Sequence, residues 1–182
     1  MKKDIAKILI SEEALQKRVR EMGAEIARDY EGKTPTMVCI LKGAVMFYTD
    51  LLRNIPIQVK MDFMAVSSYG NKTKSSGEVE IRKDLSTSIE NKDVIIVEDI
   101  VDSGFTLSYL KRMLASRGAN SIRICTLLDK PSRRAPGITL KSDYSGFEVG
   151  DEFVVGYGLD YAELYRNLPY IGVLKPEIYS GE

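Results

Sequence analysis

One segment near the middle of the chain joins an apolar strand, a group of carboxylates and the start of a helix. Residues 94–97 are Val-Ile-Ile-Val, a run typical of a strand buried on both faces of a parallel sheet. Carboxylates follow within residues 98–102, and Ser-Gly-Phe-Thr at 103–106 then opens a helix that we predict to end near Arg117. Open sheets of such units bind ligands beyond the carboxyl ends of their strands. The segment therefore predicts an α/β fold with a ligand site at that edge.

The rest of the chain repeats the alternation of helix and strand. A first helix is predicted over 11–30, with Ser11 as its N-cap and one apolar face. Apolar residues at every second position from Ile57 to Ala65 predict a strand with that apolar face turned inward. The other predicted strands cover 36–41, 79–83, 94–98 and 121–128, with short ones near 153–156 and 171–174, and the other predicted helices cover 45–53 and 105–117. This order predicts a twisted, mainly parallel sheet flanked by helices.

Composition narrows the class of protein. A chain of 182 residues is long enough for one domain with a full core. Its 26 basic residues balance 26 acidic ones, so no basic surface for nucleic acid is expected. Cys39 and Cys125 lie in apolar runs and are predicted to be buried free thiols. No signal peptide and no run of about 20 apolar residues is recognisable, so we expect a cytoplasmic protein that contacts no membrane.

The chain contains no histidine, which restricts its possible chemistry. Catalytic triads, Cys-His pairs and histidine-based zinc sites are excluded. Proton transfer must then use Asp, Glu, Lys, Tyr or Cys side chains. A bound metal ion would be held mainly by carboxylate oxygens, which suits Mg²⁺.

The residues of the central segment suit a sugar phosphate. Backbone N–H groups at a helix start bind phosphate, and the hydroxyls of Ser103 and Thr106 add donors beside Gly104. The carboxylates of Glu98 and Asp99 would repel phosphate, but they could bind ribose hydroxyls or a bridging Mg²⁺. The simpler alternative is an ordinary strand-to-helix connection in which Asp102 or Ser103 caps the helix.

Glu98-Asp99-x-x-Asp102-Ser103-Gly104-x-Thr106 closely resembles the phosphoribosyl pyrophosphate motif of the type I phosphoribosyltransferases. Its form is similar to that of the hypoxanthine-guanine branch of bacterial type, and the resemblance extends from Ile8 to about Tyr179. It implies that Asp102 is the general base that receives the purine N7 proton. It also implies that the ribose and its 5-phosphate are bound by Glu98, Asp99, Ser103, Gly104, Phe105 and Thr106.

Other segments resemble further parts of the same family. Leu41-Lys42-Gly43 is similar to its pyrophosphate loop, whose first peptide bond is often cis, and Ser68-Tyr69 resembles the start of its flexible catalytic flap. The resemblance implies that Lys42, Gly43 and Arg166 bind pyrophosphate, and that Glu98, Asp99 and Asp160 lie at the Mg²⁺ ion. It implies that Lys130, Phe153, Val154 and Asp160 bind the purine, with Lys130 donating to the 6-oxo group.

The resemblance implies a Mg²⁺-dependent transfer of phosphoribose from phosphoribosyl pyrophosphate to hypoxanthine or guanine, giving IMP or GMP and pyrophosphate. It implies one domain over 1–182, with a small hood formed by the N-terminal residues and about 150–182, in a homodimer or homotetramer. Three alternatives stay open. They are a related enzyme with another base, xanthine included, an RNA-binding regulator that senses phosphoribosyl pyrophosphate, and a non-catalytic nucleotide-binding protein.

Overall fold

The computed structural model describes residues 1–68 and 79–180, which contain nine strands and four α-helices. The strands are β1 (Ile5–Ile10), β2 (Thr36–Leu41), β3 (Lys60–Ser68), β4 (Val79–Lys83), β5 (Asp93–Val101), β6 (Ser121–Asp129), β7 (Tyr144–Glu148), β8 (Val154–Val155) and β9 (Ile171–Leu174). The helices are α1 (Glu12–Asp29), α2 (Val45–Arg53), α3 (Phe105–Ser116) and α4 (Pro176–Tyr179). Within these ranges, no helix is both long enough and apolar enough to span a bilayer.

Six strands form the central sheet in the order β4-β3-β2-β5-β6-β7, and only β4 runs antiparallel to its neighbour. Alternate residues of the inner strands enter two cores. Cys39, Ile95 and Val97 pack with α1 and α2, whereas Val38 and Ile96 pack with α3 on the opposite face. The predicted α/β fold with a mainly parallel, helix-flanked sheet is confirmed.

The first helix shows how closely local signals fix an element. Ser11 is its N-cap, and the Ser11 hydroxyl accepts a hydrogen bond from the Ala14 N–H at 3.2 Å. The apolar stripe is fully buried against the sheet and comprises Leu15, Val19, Met22 and Ile26. Both cysteines are buried and free, as predicted.

Strand β3 corrects one prediction. It begins at Lys60 rather than at Ile57, and Met61, which was predicted to face inward, is 59% exposed. Asp62 is buried instead, because its carboxylate accepts hydrogen bonds from backbone N–H groups that include those of Phe63 and Ser86. Phe63 of the alternating apolar series still packs against the core formed with α1 and α2, and Met64 enters the opposite core, so both faces of β3 are partly covered.

Strand β5 is longer than predicted and carries the acidic pair within it. It extends to Val101, so Asp99 lies within the strand beside Glu98 rather than in the turn that follows it. Helix α3 starts after Gly104, which has a φ of 82° and serves as N-cap without a side-chain bond. The alternative in which Asp102 or Ser103 caps the helix is therefore wrong.

The two ends of the chain meet in a second, three-stranded sheet. Its order is β1-β9-β8, and both pairings are antiparallel. Ile171 and Leu174 of β9 are buried, and α4 follows directly. Strands β1 and β7 were not predicted, and the pairing of β1 with β9 contains two register shifts. We call β1, β8, β9 and α4 the hood.

Candidate active site

Two cavities adjoin at the carboxyl ends of the central strands, and Asp102 lines both. The first, of about 450 Å³, is bordered by the acidic segment of β5, the loop after β2 and the start of α3. The second, of about 430 Å³, lies between Ile100, Lys130 and the hood. Predicted site residues in the first cavity are Gly43, Glu98, Asp99, Asp102, Ser103, Gly104, Thr106, Asp160 and Arg166. Those in the second are Asp102, Lys130, Phe153, Val154 and Asp160.

Glu98 and Asp99 form an electrostatically costly pair on the first cavity. Burial raises the pKa of Glu98 well above its ordinary range, and the charge of Asp99 raises it further. Burial also raises the pKa of Asp99, although hydrogen bonds from Glu98 and the Ile100 N–H act in the opposite direction. Neither carboxylate forms a salt bridge within the described ranges. Such a pair gains stability when a cation or hydroxyl donors bind to it.

The loop after β2 touches the carboxylate of Asp99 through a glycine. The Leu41–Lys42 peptide bond is cis, and Gly43 follows it. A Cβ built on Gly43 would overlap Oδ2 of Asp99, and a Cβ on Gly158 would overlap the carbonyl oxygen of Gly43. Three backbone segments that are distant in sequence therefore meet here without room for a side chain.

Arg166 connects the contact between Gly43 and Gly158 to Asp160. Its Nη1 donates to the Gly158 carbonyl at 2.7 Å, and its Nη2 lies 2.9 Å from Oδ1 of Asp160. Oδ2 of Asp160 accepts the backbone N–H of Glu163 at 2.8 Å. The ammonium of Lys42 lies 2.8 Å from the Glu163 carboxylate, and Lys42 lines neither cavity.

The three residues predicted to lie at Mg²⁺ are not gathered into a preformed cluster. Among the described residues, no group of three or more Cys, Asp or Glu side chains is arranged to hold a metal ion. Asp160 is occupied by Arg166, whereas Glu98 and Asp99 keep carboxylate oxygens without a basic partner. Oxygen donors with raised pKa values fit a hard divalent cation that would relieve their repulsion.

The turn from β5 into α3 supplies the anion-binding features predicted from the sequence. Ser103, Gly104 and Thr106 all line the first cavity at the N-terminus of a 12-residue helix. Phe105 starts that helix but lines neither cavity, and its N–H lies 3.4 Å from the Ser103 hydroxyl. Phe105 therefore contributes backbone rather than side chain to this turn.

The second cavity combines a buried lysine with a partly exposed aromatic ring. Lys130 is only 8% exposed, and its ammonium donates to the Glu152 carbonyl at 2.7 Å. Phe153 is 37% exposed and stacks on Tyr179, with ring centroids 4.8 Å apart and an interplanar angle of 23°. The ring of Tyr161 meets Phe153 edge-on, with centroids 5.7 Å apart.

Parts of this site were not foreseen. Ile100 lines both cavities, and Arg133 and Tyr179 line the second. The position of Ile100 between Asp99 and Asp102 in the sequence could have marked it as a site residue, because an apolar side chain there must face a ligand or the core. Nothing in the local sequence marks Tyr179. Of the predicted flap, Ser68 ends β3, while Tyr69 and the segment to residue 78 lie outside the described residues.

Comparison with known proteins assigns the family. A family model described as "Phosphoribosyl transferase domain" matches residues 7–162. The chain therefore belongs to the phosphoribosyltransferase family. The chain is 60% identical over 181 residues to the hypoxanthine-guanine phosphoribosyltransferase of Bacillus subtilis strain 168, covering 100% of this chain and 99% of that protein. It is 59% identical to the bifunctional protein TilS/HprT of Listeria innocua, of which it covers only 28%.

A solved structure agrees with these relatives. The crystal structure of a hypoxanthine phosphoribosyltransferase from Staphylococcus aureus matches with a TM-score of 0.94 and 53% sequence identity. The match covers 98% of this chain and 96% of that one. The family resemblance inferred from the acidic motif is therefore confirmed.

Proposed function

We propose that the chain transfers the 5-phosphoribosyl group of phosphoribosyl pyrophosphate to N9 of hypoxanthine, and also of guanine, in purine salvage. The products are IMP or GMP and pyrophosphate. One observation carries the proposal: Asp102 lines both the cavity at the start of α3 and the cavity that contains Lys130 and Phe153. A base and an activated sugar bound in these cavities would meet beside this carboxylate. The full-length identity to the B. subtilis enzyme supports the same reaction.

The first cavity would bind phosphoribosyl pyrophosphate. Ser103, Gly104 and Thr106, with the backbone of Phe105, would hold the 5-phosphate at the start of α3. Glu98 and Asp99 would accept hydrogen bonds from the ribose hydroxyls, for which carboxylate oxygens are suited. At the far side, the backbone of Gly43 and the guanidinium of Arg166 would contact the pyrophosphate. Lys42 would first leave Glu163, an exchange that exposed side chains can make at low cost.

Glu98 and Asp99 would also be the main protein contacts of Mg²⁺, with Asp160 joining only if it leaves Arg166. The ion would neutralise part of the charge on the departing pyrophosphate. Cation binding requires both carboxyl groups to be ionised. Burial favours the protonated form of the pair when no cation is bound, so cation binding would release protons.

The second cavity would select the base. The buried Lys130 would donate to the 6-oxo group, and a donor at that place disfavours adenine, whose exocyclic amine is also a donor. Phe153 would stack on the ring, and Val154 would offer backbone groups to its edge. During transfer, N9 forms the bond to the anomeric carbon as the bond to pyrophosphate breaks, and Asp102 accepts the N7 proton.

The remaining expectations belong to the same proposal. Residues 1–182 would act as a single domain with the hood over its base site. The protein would work in the cytoplasm as a homodimer or homotetramer, without contact to nucleic acid or membrane. Sedimentation equilibrium would give the assembly state directly.

Pyrophosphate release tests the reaction. The protein would be mixed with phosphoribosyl pyrophosphate and Mg²⁺, and hypoxanthine, guanine, xanthine, adenine and uracil would be added separately. We expect turnover with hypoxanthine and guanine, and none with adenine or uracil. No turnover with any base would contradict the proposal, while equal use of adenine would contradict the role of Lys130.

Replacing Asp102 by Asn tests the general base. The variant keeps the size and most contacts of the side chain, but it cannot accept the N7 proton as a carboxylate does. We expect the rate of IMP formation to fall by roughly 10²-fold or more, with binding of phosphoribosyl pyrophosphate retained. An unchanged rate would remove Asp102 from this role without affecting the proposed reaction.

A further inference from the structure

We propose that Arg133 is a positioning residue that holds the carboxylate of Asp102 for proton transfer. The inference rests on the proposed function and adds a residue to it. Nε of Arg133 donates to Oδ1 of Asp102 at 3.2 Å. Within the described ranges, Oδ2 of Asp102 receives no hydrogen bond. Arg133 therefore leaves one carboxylate oxygen available to accept a proton from the base.

The position of Arg133 is fixed by the turn that also presents Lys130. The backbone N–H of Arg133 donates to the Lys130 carbonyl at 3.0 Å, within the 3₁₀ turn Pro131–Arg133. Arg133 and Lys130 both line the base cavity. The contact for the 6-oxo group and the partner of the general base thus belong to one rigid piece of chain.

The next residue holds the backbone of Asp102. Nη1 of Arg134 donates to the carbonyl of Asp102 at 2.7 Å and to that of Val101 at 3.3 Å, and its Nη2 forms an ion pair with Asp129. The Arg134 side chain is 15% exposed, against 52% for Arg133. Arg134 therefore fixes the backbone of Asp102, and the more exposed Arg133 sets the direction of its side chain.

A second acidic group competes for the same donor. Oδ1 of Asp151 lies 3.4 Å from Nε of Arg133, and Asp151 also lines the base cavity. A single N–H cannot serve both carboxylates well. Arg133 accordingly has two available partners, and only the contact with Asp102 orients the general base. Removing Asp151 should leave that contact intact or strengthen it.

A double-mutant cycle tests the coupling between Arg133 and Asp102. Single-turnover formation of IMP would be measured by rapid quench for the wild type, Arg133→Gln, Asp102→Asn and the double variant, because product release can limit steady-state turnover. We expect Arg133→Gln to slow the wild-type protein about threefold to tenfold, and to have little effect in the Asp102→Asn background. Equal losses in both backgrounds, or no loss in either, would overturn the proposal.

Two further variants separate orientation from general damage. Arg133→Lys keeps the charge and should recover part of the loss. Arg112→Gln, an exposed arginine on α3 outside both cavities, is the matched control. KM for phosphoribosyl pyrophosphate should stay unchanged throughout.

The outcomes distinguish the positioning role of Arg133 from the proposed function on which it rests. A wild-type protein that makes no IMP contradicts both. A slow Asp102→Asn variant beside a fully active Arg133→Gln variant contradicts only the positioning role of Arg133. If Arg133→Gln does not fold, as judged by its thermal midpoint, the Arg133→Lys pair of variants carries the same cycle.

Discussion

Single residues in this site are constrained more by the space around them than by their own chemistry. Gly43 has no side chain, and the Asp99 carboxylate occupies the place that one would take. Glu98 is held beside that carboxylate, and burial raises the pKa values of both groups. We therefore expect some single substitutions here to weaken substrate binding without unfolding the protein, and others to stabilise the empty protein.

Replacing Gly43 by Ala should disrupt the site without unfolding the protein. The added methyl group would displace Asp99, whose carboxylate is proposed to bind the ribose hydroxyls and Mg²⁺. We expect affinity for phosphoribosyl pyrophosphate to fall at least tenfold, as measured by isothermal titration calorimetry with Mg²⁺ present. Gly150→Ala is the control, because nothing lies within 4 Å of a Cβ at that position. Unchanged affinity would show that the loop yields instead of Asp99.

Replacing Glu98 by Gln should stabilise the empty protein at neutral pH. The pKa of Glu98 in the folded protein is raised above its ordinary value of 4.5. The contribution of Glu98 to stability is therefore complete below pH 4.5 and is lost as the pH rises through the pKa of the folded protein. Gln does not titrate, so the melting temperature of Glu98→Gln should exceed that of the wild type by a few degrees at pH 8 and by less at pH 5. The exposed Glu148→Gln should show no such difference. A lower melting temperature at pH 8 would contradict the cause assigned to the shift.

Whole elements follow the sequence where burial is decided locally, and depart from it where a distant partner decides. Residues 94–97 form a buried strand because every side chain is apolar, which any sheet would accept. Asp62 is buried in β3, although it is charged, because the N–H groups of the turn after β4 need an acceptor there. Strand β1 exists as a strand through pairing with β9, from the other end of the chain. No local pattern carries that information.

Replacing Asp62 by Asn should destabilise β3 and the turn that follows β4. Burial opposes ionisation of Asp62, but N–H groups of Phe63, Ser86 and Thr87 outweigh it, and the pKa is lowered. We expect a loss of roughly 2–4 kcal/mol in the free energy of unfolding by urea, since charged acceptors of backbone N–H groups are among the stronger ones. Because the pKa is depressed, the wild-type advantage should be present above pH 3.8 and vanish as pH falls through the folded value. Glu177→Gln, on an exposed position, is the control, and an equal loss there would contradict the assignment.

The whole molecule assembles its site from both ends of the chain. The acidic motif and Lys130 could be placed from sequence, because they lie at the carboxyl ends of β5 and β6, which are neighbours in one parallel sheet. Asp160 was placed by the family resemblance alone. The salt bridge between Lys42 and Glu163 could not be predicted, since the two residues meet only once the loop before β9 folds over β2. The stacking of Tyr179 on Phe153 likewise depends on the closure of the hood. Contacts between sheets are therefore where sequence patterns lose their predictive value.

Replacing Tyr179 by Ala should weaken binding of the base and leave the sugar site unchanged. Tyr179 supports the ring of Phe153, and an aromatic pair of this kind contributes about 0.5–1.5 kcal/mol beyond its buried area. KM for hypoxanthine should therefore rise about twofold to tenfold, with KM for phosphoribosyl pyrophosphate unchanged. Tyr179→Phe keeps the ring and should behave as the wild type. A rise in KM for both substrates would indicate that the hood as a whole has shifted.

The meeting of Gly43 and Gly158 also has an evolutionary consequence. At both positions every possible replacement is larger, and the obstructing atoms are the Asp99 carboxylate, which is proposed to bind the ribose hydroxyls and Mg²⁺, and a carbonyl that no mutation can remove. Neighbouring substitutions therefore cannot compensate, as they often do in an apolar core. In lineages that keep the reaction, these two codons should drift least, even though neither encodes a side chain that could touch a substrate.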